Sequence, residues 1–183
     1  MVYILRNGLK VNIREIQEGD AKNFIELLKI THAESKFLGS SDDEVDITIE
    51  EEIEKIKEIR TDDKIEIFVA EIDDKIVGHV SVSVVRNRVR YLHRARIGIM
   101  ILKDYTGMGI GGKLMSEMIN WCNTRSPKIE QIELEIVIGN EIAYNMYRNF
   151  GFVEYGKLAN AFKYPDGTYA DQYFMVKYLN DNK

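Results

Sequence analysis

Four glycines within six residues, at positions 107, 109, 111 and 112, constrain this chain more than any other feature. They lie between a predicted strand and a predicted amphipathic helix, where glycine is unfavourable unless it serves a purpose. Without a Cβ, the backbone can approach a ligand closely, and the unpaired N–H groups of a helix start favour an anion. We therefore expect this glycine turn, residues 107–112, to hold a phosphate group. The alternative is a turn that only packs the helix against the strand.

Two known phosphate-binding motifs partly match the glycine turn. The spacing Gly107-x-Gly109-x-x-Gly112 fits the dinucleotide-binding fingerprint, but that fingerprint opens a parallel sheet and this one follows a predicted antiparallel hairpin. The run ending in Gly112-Lys113 nearly matches the phosphate loop of nucleoside triphosphatases. However, Leu114 stands where that loop needs a magnesium-binding hydroxyl, which argues against a nucleoside triphosphatase.

Hydrophobic periodicity along the chain predicts seven strands and four helices in the order βααβββαβαββ. The predicted strands are residues 9–16, 65–72, 76–85, 95–102, 132–138, 151–162 and 168–179. The predicted helices begin after Asp20, which we expect to be the N-cap, near residue 49, after the glycine turn, and at residue 141. The stretch 97–138 has the length of a parallel crossover. The fold class is therefore α/β (α+β), with a mixed, mostly antiparallel sheet and helices on both faces.

A second motif follows about thirty residues later, Asn140-x-x-Ala143-x-x-x-Tyr147-x-x-x-Gly151-Phe152. Asn140 is expected to cap a short helix with its side-chain oxygen, and Gly151 to end that helix in a left-handed conformation. Asn140, Ala143 and Tyr147 then lie roughly on one helix face. On this spacing alone, Tyr147 is no more than a half-buried tyrosine.

Together the two motifs resemble those of the GNAT superfamily of N-acetyltransferases. The family signature (Gln/Arg)-x-x-Gly-x-(Gly/Ala) corresponds here to residues 106–111, and Thr106 departs from the usual Gln or Arg. The second motif matches the family segment that follows the next strand. The resemblance is strongest over residues 97–152. It implies an enzyme that transfers the acetyl group of acetyl-CoA, its co-substrate, to a primary amine by direct attack in a ternary complex.

The resemblance also implies roles for individual residues. Tyr147 is expected to donate a proton to the departing CoA thiolate. The backbone groups of Ile99, Met100 and Ile101 are expected to pair with the pantetheine arm as if it were an added strand. No metal is expected. The residues expected to bind the cofactor are Ile99, Met100, Ile101, Thr106, Gly107, Met108, Gly109, Ile110, Gly111, Gly112, Asn140 and Tyr147.

The general base is not assigned by the sequence. Many relatives have a glutamate two residues before a glycine on the strand preceding the turn, and Arg96 stands there. Since arginine cannot accept a proton, Glu135, His79, His93 and a water chain all stay open. Selectivity for the amine is expected from the first two helices and the last hairpin. Its candidate residues are Glu34, Phe37, Tyr155, Tyr164, Asp171 and Tyr173.

Length, charge and cysteine content bear on the number of domains, the class of partner and the location of the protein. A chain of 183 residues is expected to form one acetyltransferase domain, residues 1–183. The net charge of −5, without a long basic run, argues against nucleic acid as a partner, and no apolar run suggests a membrane span. A single cysteine, Cys122, fits a reducing compartment, so we expect a cytoplasmic protein. The resemblance implies a homodimer.

The acidic residues within 41–58 are open to two interpretations, a solvated helix face or a rim that attracts a cationic substrate. Two other functions also stay open at this point. One is a catalytically idle CoA-binding or sensor domain of the same fold, and the other a dinucleotide-dependent oxidoreductase.

Overall fold

The computed structural model describes residues 1–40, 45–125 and 127–179 of the chain. The strands are β1 (Val2–Ile4), β2 (Lys10–Glu15), β3 (Ile65–Ile72), β4 (Lys75–Val84), β5 (Arg94–Ile101), β6 (Gln131–Val137), β7 (Val153–Lys163) and β8 (Tyr169–Tyr178). The helices are α1 (Ala21–Glu34), α2 (Ile49–Thr61), α3 (Ile110–Thr124) and α4 (Glu141–Asn149). From β2 onward this is the predicted order. The sequence missed β1, which has three residues, two of them with exposed apolar side chains, Val2 and Ile4.

The strands form a single sheet in the order β1-β2-β3-β4-β5-β6-β8-β7. Among the described strands, β5 and β6 alone pair in parallel, and α3 connects them, as the length of the crossover predicted. The other neighbouring strands are antiparallel. The predicted fold class, a mixed and mostly antiparallel sheet with helices, is confirmed.

Local signals start the helices, with one exception. The Thr48 hydroxyl accepts the Glu51 N–H at 3.2 Å, and the Glu51 carboxylate accepts the Thr48 N–H at 2.8 Å, so a capping box starts α2. Asp20 is the N-cap residue of α1, as predicted, but its side chain makes no capping hydrogen bond to α1. Its carboxylate instead accepts the Gln17 N–H at 2.8 Å and pairs with Arg14 at 2.6 Å, because a short helical turn leads directly into α1.

The two faces of the sheet carry different helices. On β5, Ala95 and Ile97 are buried in the same core as the apolar face of α3. On β4, the side chain of His79 points to the opposite face, where its ring meets Phe24 of α1 at a centroid distance of 5.0 Å. The apolar face of α3 is buried, and its fully buried side chains include Leu114, Met115, Met118 and Cys122.

The pairing between β5 and β6 is short, and this shapes the centre of the sheet. It covers three residue pairs, from Arg94–Gln131 to Arg96–Glu133. Beyond them β5 continues along β4 and β6 continues along β8, so the two strands separate. We call this opening the β5–β6 fork. It lies along the part of β5 beyond Arg96, and a short helical turn, Lys103–Tyr105, connects the end of β5 to the glycine turn.

Candidate active site

The glycine turn presents a row of main-chain donors. Gly107 and Gly109 have φ values of 76° and 90°, a left-handed conformation that glycine adopts without strain. Gly109 is the N-cap of α3 and provides no side-chain cap, and the first turn of α3 contains no acidic residue. Within the described residues, the N–H groups of residues 107–112 have no hydrogen-bond acceptor. The turn therefore has the geometry and charge of an anion site.

The four glycines of the turn have different surroundings. A Cβ added at Gly107, Gly109 or Gly112 would meet no atom within 4 Å, so these positions face open space. A Cβ at Gly111 would lie 2.9 Å from the Met146 sulfur and 3.2 Å from the Ile101 Cδ1. The packing of α3 against α4 and β5 thus leaves little room for a side chain at position 111. For this one residue, packing explains glycine better than the predicted contact with a cofactor.

The other predicted residues of the turn support its shape. The Thr106 hydroxyl donates to the Lys103 carbonyl at 2.7 Å and closes the short helical turn that precedes Gly107. The Met108 sulfur accepts from the Asn7 amide at 3.4 Å, which connects the turn to the N-terminal hairpin. Ile110 is buried at the start of α3.

The main chain of β5 is available along the fork. The Leu102 N–H donates to the Val77 carbonyl at 2.9 Å, which fixes the alternation of bonds between β5 and β4. Since bonded positions alternate in an antiparallel pair, Met100 also directs its main-chain groups toward β4. Ile99 and Ile101 direct theirs toward the fork, beyond the last pair with β6. Of the three residues expected to pair with the pantetheine arm, Ile99 and Ile101 thus direct main-chain groups toward the fork and Met100 does not. The pairing itself stays a prediction.

Helix α4 lies beside the first turn of α3, because Met146 contacts Gly111. The Asn140 side chain accepts the Ala143 N–H at 3.4 Å, so the predicted N-cap is present. Gly151 has a φ of 81° and ends the helix in the predicted left-handed conformation. These two ends fix the rotation of α4 and thereby the direction of Tyr147.

Tyr147 is a buried phenol whose ring packs against a second aromatic ring. Its side chain is 7% exposed and its ring lies 5.6 Å from that of Phe152. Within the described residues, its hydroxyl makes no hydrogen bond. Loss of solvation on burial raises the pKa of Tyr147 to about 12. The phenol is therefore neutral near pH 7 and has a proton free to donate.

Two ion pairs lie at the base of the fork, on the sheet face that carries α1. Arg94 binds Glu133 with two bonds, one of them from Nη2 at 2.9 Å. Two residues further along each strand, Arg96 Nη2 lies 3.4 Å from Glu135 Oε1. Arg96 occupies the position where the resemblance places a glutamate, and Glu135 brings a carboxylate to the same place from the other strand.

The two histidines proposed as bases have other surroundings. His79 is buried, and neither ring nitrogen has a partner within the described residues. Burial, with a smaller effect of Lys55, lowers the pKa of His79 to about 4. The carbonyl of His93 accepts the Gln131 N–H at 3.2 Å, which places this residue at the closed end of the fork. Of the predicted side chains, Glu135 is the exposed carboxylate beside the fork.

Three of the residues predicted to select the amine lie near the ends of β5 and β6. Glu34 accepts the Lys103 N–H at 2.9 Å, and the Phe37 ring lies 3.9 Å from the Cβ position of Gly139. The end of α1 and the residues after it therefore cover the open end of the fork. Tyr173 lines a cleft of about 210 Å³ at the junction of β6 and α4, together with Asn140.

The other three selectivity candidates belong to the β7–β8 hairpin. The Tyr164 ring packs against Phe162 at 5.2 Å, and Asp171 pairs with Lys157 at 2.7 Å. Tyr155 is exposed and stacks beside Phe174. The side-chain contacts of Tyr164 and Asp171 lie within the hairpin, while the Asp171 carbonyl accepts the Ile138 N–H at 2.9 Å just beyond the end of β6.

Several other predictions concern groups outside this site. Residues 41–44 of the acidic segment lie outside the described residues, while Glu50, Glu51 and Glu54 are exposed on α2. Cys122 is buried, and burial raises its pKa to about 12, which disfavours a reactive thiolate. Within residues 1–40, 45–125 and 127–179, no three acidic, His or Cys side chains could hold a metal ion. No described helix is long and apolar enough to cross a membrane.

A family profile and a characterised relative both show similarity of this chain to acetyltransferases. Residues 27–152 match the profile of the Acetyltransferase (GNAT) family. The chain is similar to the L-amino acid N-acetyltransferase AaaT of Escherichia coli (strain K12), with 32% identity over 110 residues. That alignment covers 60% of this chain and 66% of AaaT, just under two thirds of the relative's length.

Solved structures share the fold over almost the whole chain. The acetyltransferase of the GNAT family from Streptococcus pneumoniae superimposes with a TM-score of 0.87 at 27% identity, covering 92% of this chain and 99% of that one. The yncA protein of Salmonella typhimurium, solved with its cofactor acetyl-CoA, gives a TM-score of 0.81 at 16% identity, covering 94% and 96%.

Proposed function

Because this chain belongs to the Acetyltransferase (GNAT) family, we propose that it transfers the acetyl group of acetyl-CoA to the amine of a small molecule or peptide. The observation that carries the proposal is the β5–β6 fork, which connects the glycine turn to the vicinity of Arg96 and Glu135. We further propose that the chain works as one catalytic domain. The family match argues against the dinucleotide interpretation of the glycine turn.

The residues at the fork fit acetyl-CoA in charge and in length. The free N–H groups of residues 107–112 would bind the diphosphate, and the open space at Gly107, Gly109 and Gly112 leaves room for it. Five residues, 97–101, span about 16 Å along β5, since a strand rises about 3.3 Å per residue. An extended pantetheine arm can run this distance beside Ile99 and Ile101 as an added strand. The acetyl-CoA of the yncA protein supports the same use of this fold.

Two side chains would carry the proton transfers. Glu135 would accept a proton from the incoming ammonium, so that the neutral amine can attack the thioester carbonyl. Tyr147 would donate its phenolic proton to the departing sulfur, and its raised pKa keeps that proton in place until then. Holding both reactants at the fork would supply much of the remaining acceleration.

The test is release of CoA thiol from acetyl-CoA in the presence of a panel of primary amines. Transfer to at least one amine is expected, with loss of turnover in Tyr147→Phe. An idle sensor domain, which Arg96 at the usual glutamate position favours, would bind acetyl-CoA tightly and acetylate none of the panel. That result would overturn the proposed activity. The homodimer and the cytoplasmic location stay predictions.

A further inference from the structure

The two ion pairs at the base of the fork differ in how completely they are formed. Arg94 and Glu133 make two hydrogen bonds, and their side chains are 29% and 6% exposed. Arg96 and Glu135 make one contact at 3.4 Å, and their side chains are 57% and 38% exposed. A guanidinium binds a carboxylate best through two parallel bonds. Arg96 therefore has donors to offer to a second carboxylate.

The position of Arg96 puts those donors beside the reaction site. It belongs to the last residue pair before β5 and β6 separate. Two residues further, on the same face of β5, Gly98 has no side chain, and a Cβ there would meet one atom within 4 Å, Ser81 Oγ at 3.5 Å. The space above β5 next to Arg96 is thus open. Ile97, between the two, faces the opposite side and is buried.

We propose that Arg96 and Glu135 bind the acceptor as a zwitterion, and that the acceptor class is therefore the free α-amino acid. This inference rests on the proposed acetyl transfer. Arg96 would bind the α-carboxylate and Glu135 the α-ammonium. On binding, Arg96 would exchange its weakly held partner Glu135 for the substrate carboxylate, and Glu135 would exchange Arg96 for the substrate ammonium. No charged group at the site would then be left without a partner. A polyamine would instead bring a positive charge next to Arg96 without a carboxylate to bind it.

The reaction balances with groups already described. Glu135 takes one proton from the ammonium, and the nitrogen lone pair forms the bond to the acetyl carbon. The carbon–sulfur bond breaks, its electron pair goes to sulfur, and Tyr147 supplies the proton for the thiol. The second proton of the nitrogen leaves to solvent, and Tyr147 is reprotonated from solvent. Arg96 takes no part in these transfers and acts by positioning the amino acid.

The test compares each L-amino acid of a panel with its α-carboxamide, which keeps the amine and the side chain but lacks the carboxylate. For the wild type we expect kcat/KM to be at least about 30-fold higher for the amino acid than for its amide. In Arg96→Gln the ratio should fall to near one, through a higher KM for the amino acid. Arg96→Lys should restore part of the ratio.

Two control variants separate positioning from general effects. Arg88 is exposed and makes no ion pair with the described residues, so Arg88→Gln should keep the wild-type ratio. Glu135→Gln should lower kcat for both acceptors alike. If the wild type acetylates amides as well as amino acids, or if Arg96→Gln keeps the preference, the inference is wrong while the acetyltransferase activity stands. Acetyl-CoA binding without transfer to any amine would overturn both.

Discussion

Replacing Tyr147 by phenylalanine removes the proposed proton donor, the phenolic hydroxyl, and leaves the rest of the site unchanged. The hydroxyl has no hydrogen-bond partner within the described residues, so its removal leaves no polar group unsatisfied, and the ring keeps its contact with Phe152. We expect the free energy of unfolding at pH 7 to change by less than about 1 kcal/mol. A general acid contributes about 10²- to 10⁴-fold, so kcat should fall by at least about 100-fold with acetyl-CoA affinity unchanged.

The raised pKa of Tyr147 gives the same substitution a second, independent signature. Burial holds the neutral phenol in the folded protein, with a pKa of about 12 against an ordinary value of 10.0. The folded state thus binds the proton more tightly, and stability is fully present below pH 10 and lost as the pH rises toward 12. The loss is about 3 kcal/mol, from two pKa units at about 1.4 kcal/mol each. The Tyr147→Phe variant should not show this loss of stability between pH 10 and pH 12.

Three measurements on the wild type and the variant check this account. Thiol release gives kcat, calorimetric titration gives the affinity for acetyl-CoA, and urea unfolding at pH 7 and above pH 10 gives the stabilities. Tyr147 should be about 0.1% ionised at pH 9, so it should cause no alkaline fall in kcat there. A variant that turns over within threefold of the wild type would refute the role of Tyr147 as acid and leave it as a packing residue.

Three further substitutions test separate parts of the structure. Gly112→Ala should raise stability by about 0.5–1 kcal/mol, because the position is helical and open, and should weaken acetyl-CoA binding at least about tenfold. Unchanged calorimetric affinity would argue against a diphosphate at this position. Gly111→Ala should cost about 1–3 kcal/mol in urea unfolding through its contact with Met146, and Met146→Ala in the same chain should recover part of it. His79→Leu should keep kcat, because the His79 ring has no hydrogen-bond partner among the described residues. A large loss of kcat would instead support His79 as the general base. With a folded pKa of about 4, the wild type should lose stability as the pH falls from about 6.5 toward 4, and the leucine variant should not.

The features that the sequence predicted are local ones. The order of elements from β2 onward follows from hydrophobic periodicity, and the cap at Asn140 and the left-handed Gly151 follow from the chemistry of single residues. The glycine turn was predicted because four glycines around the start of a helix are unusual in any context. Each of these signals lies within a few residues of what it determines.

The features that the sequence missed depend on distant contacts. The packing role of Gly111 requires Met146, which is 35 positions later, and the pairing of Arg96 with Glu135 requires the parallel register of β5 and β6. Asp20 was expected to cap α1 with its side chain, but Arg14, on the strand before it, binds the Asp20 carboxylate instead. The sequence near Asp20 does not show this pairing. Period-two alternation on β5 and β6 could have placed Arg96 and Glu135 on one face, but not at the point where the strands separate.

The central claim is that the main-chain N–H groups of residues 107–112 bind the diphosphate of acetyl-CoA. Amide hydrogen exchange followed by NMR, on this protein of 21.2 kDa, measures those groups one by one. Saturating acetyl-CoA should slow exchange at several of these six amides by at least about tenfold, while the amides at the exposed end of the β7–β8 hairpin stay unchanged. Exchange at residues 107–112 that is equally fast with and without bound acetyl-CoA would contradict the claim.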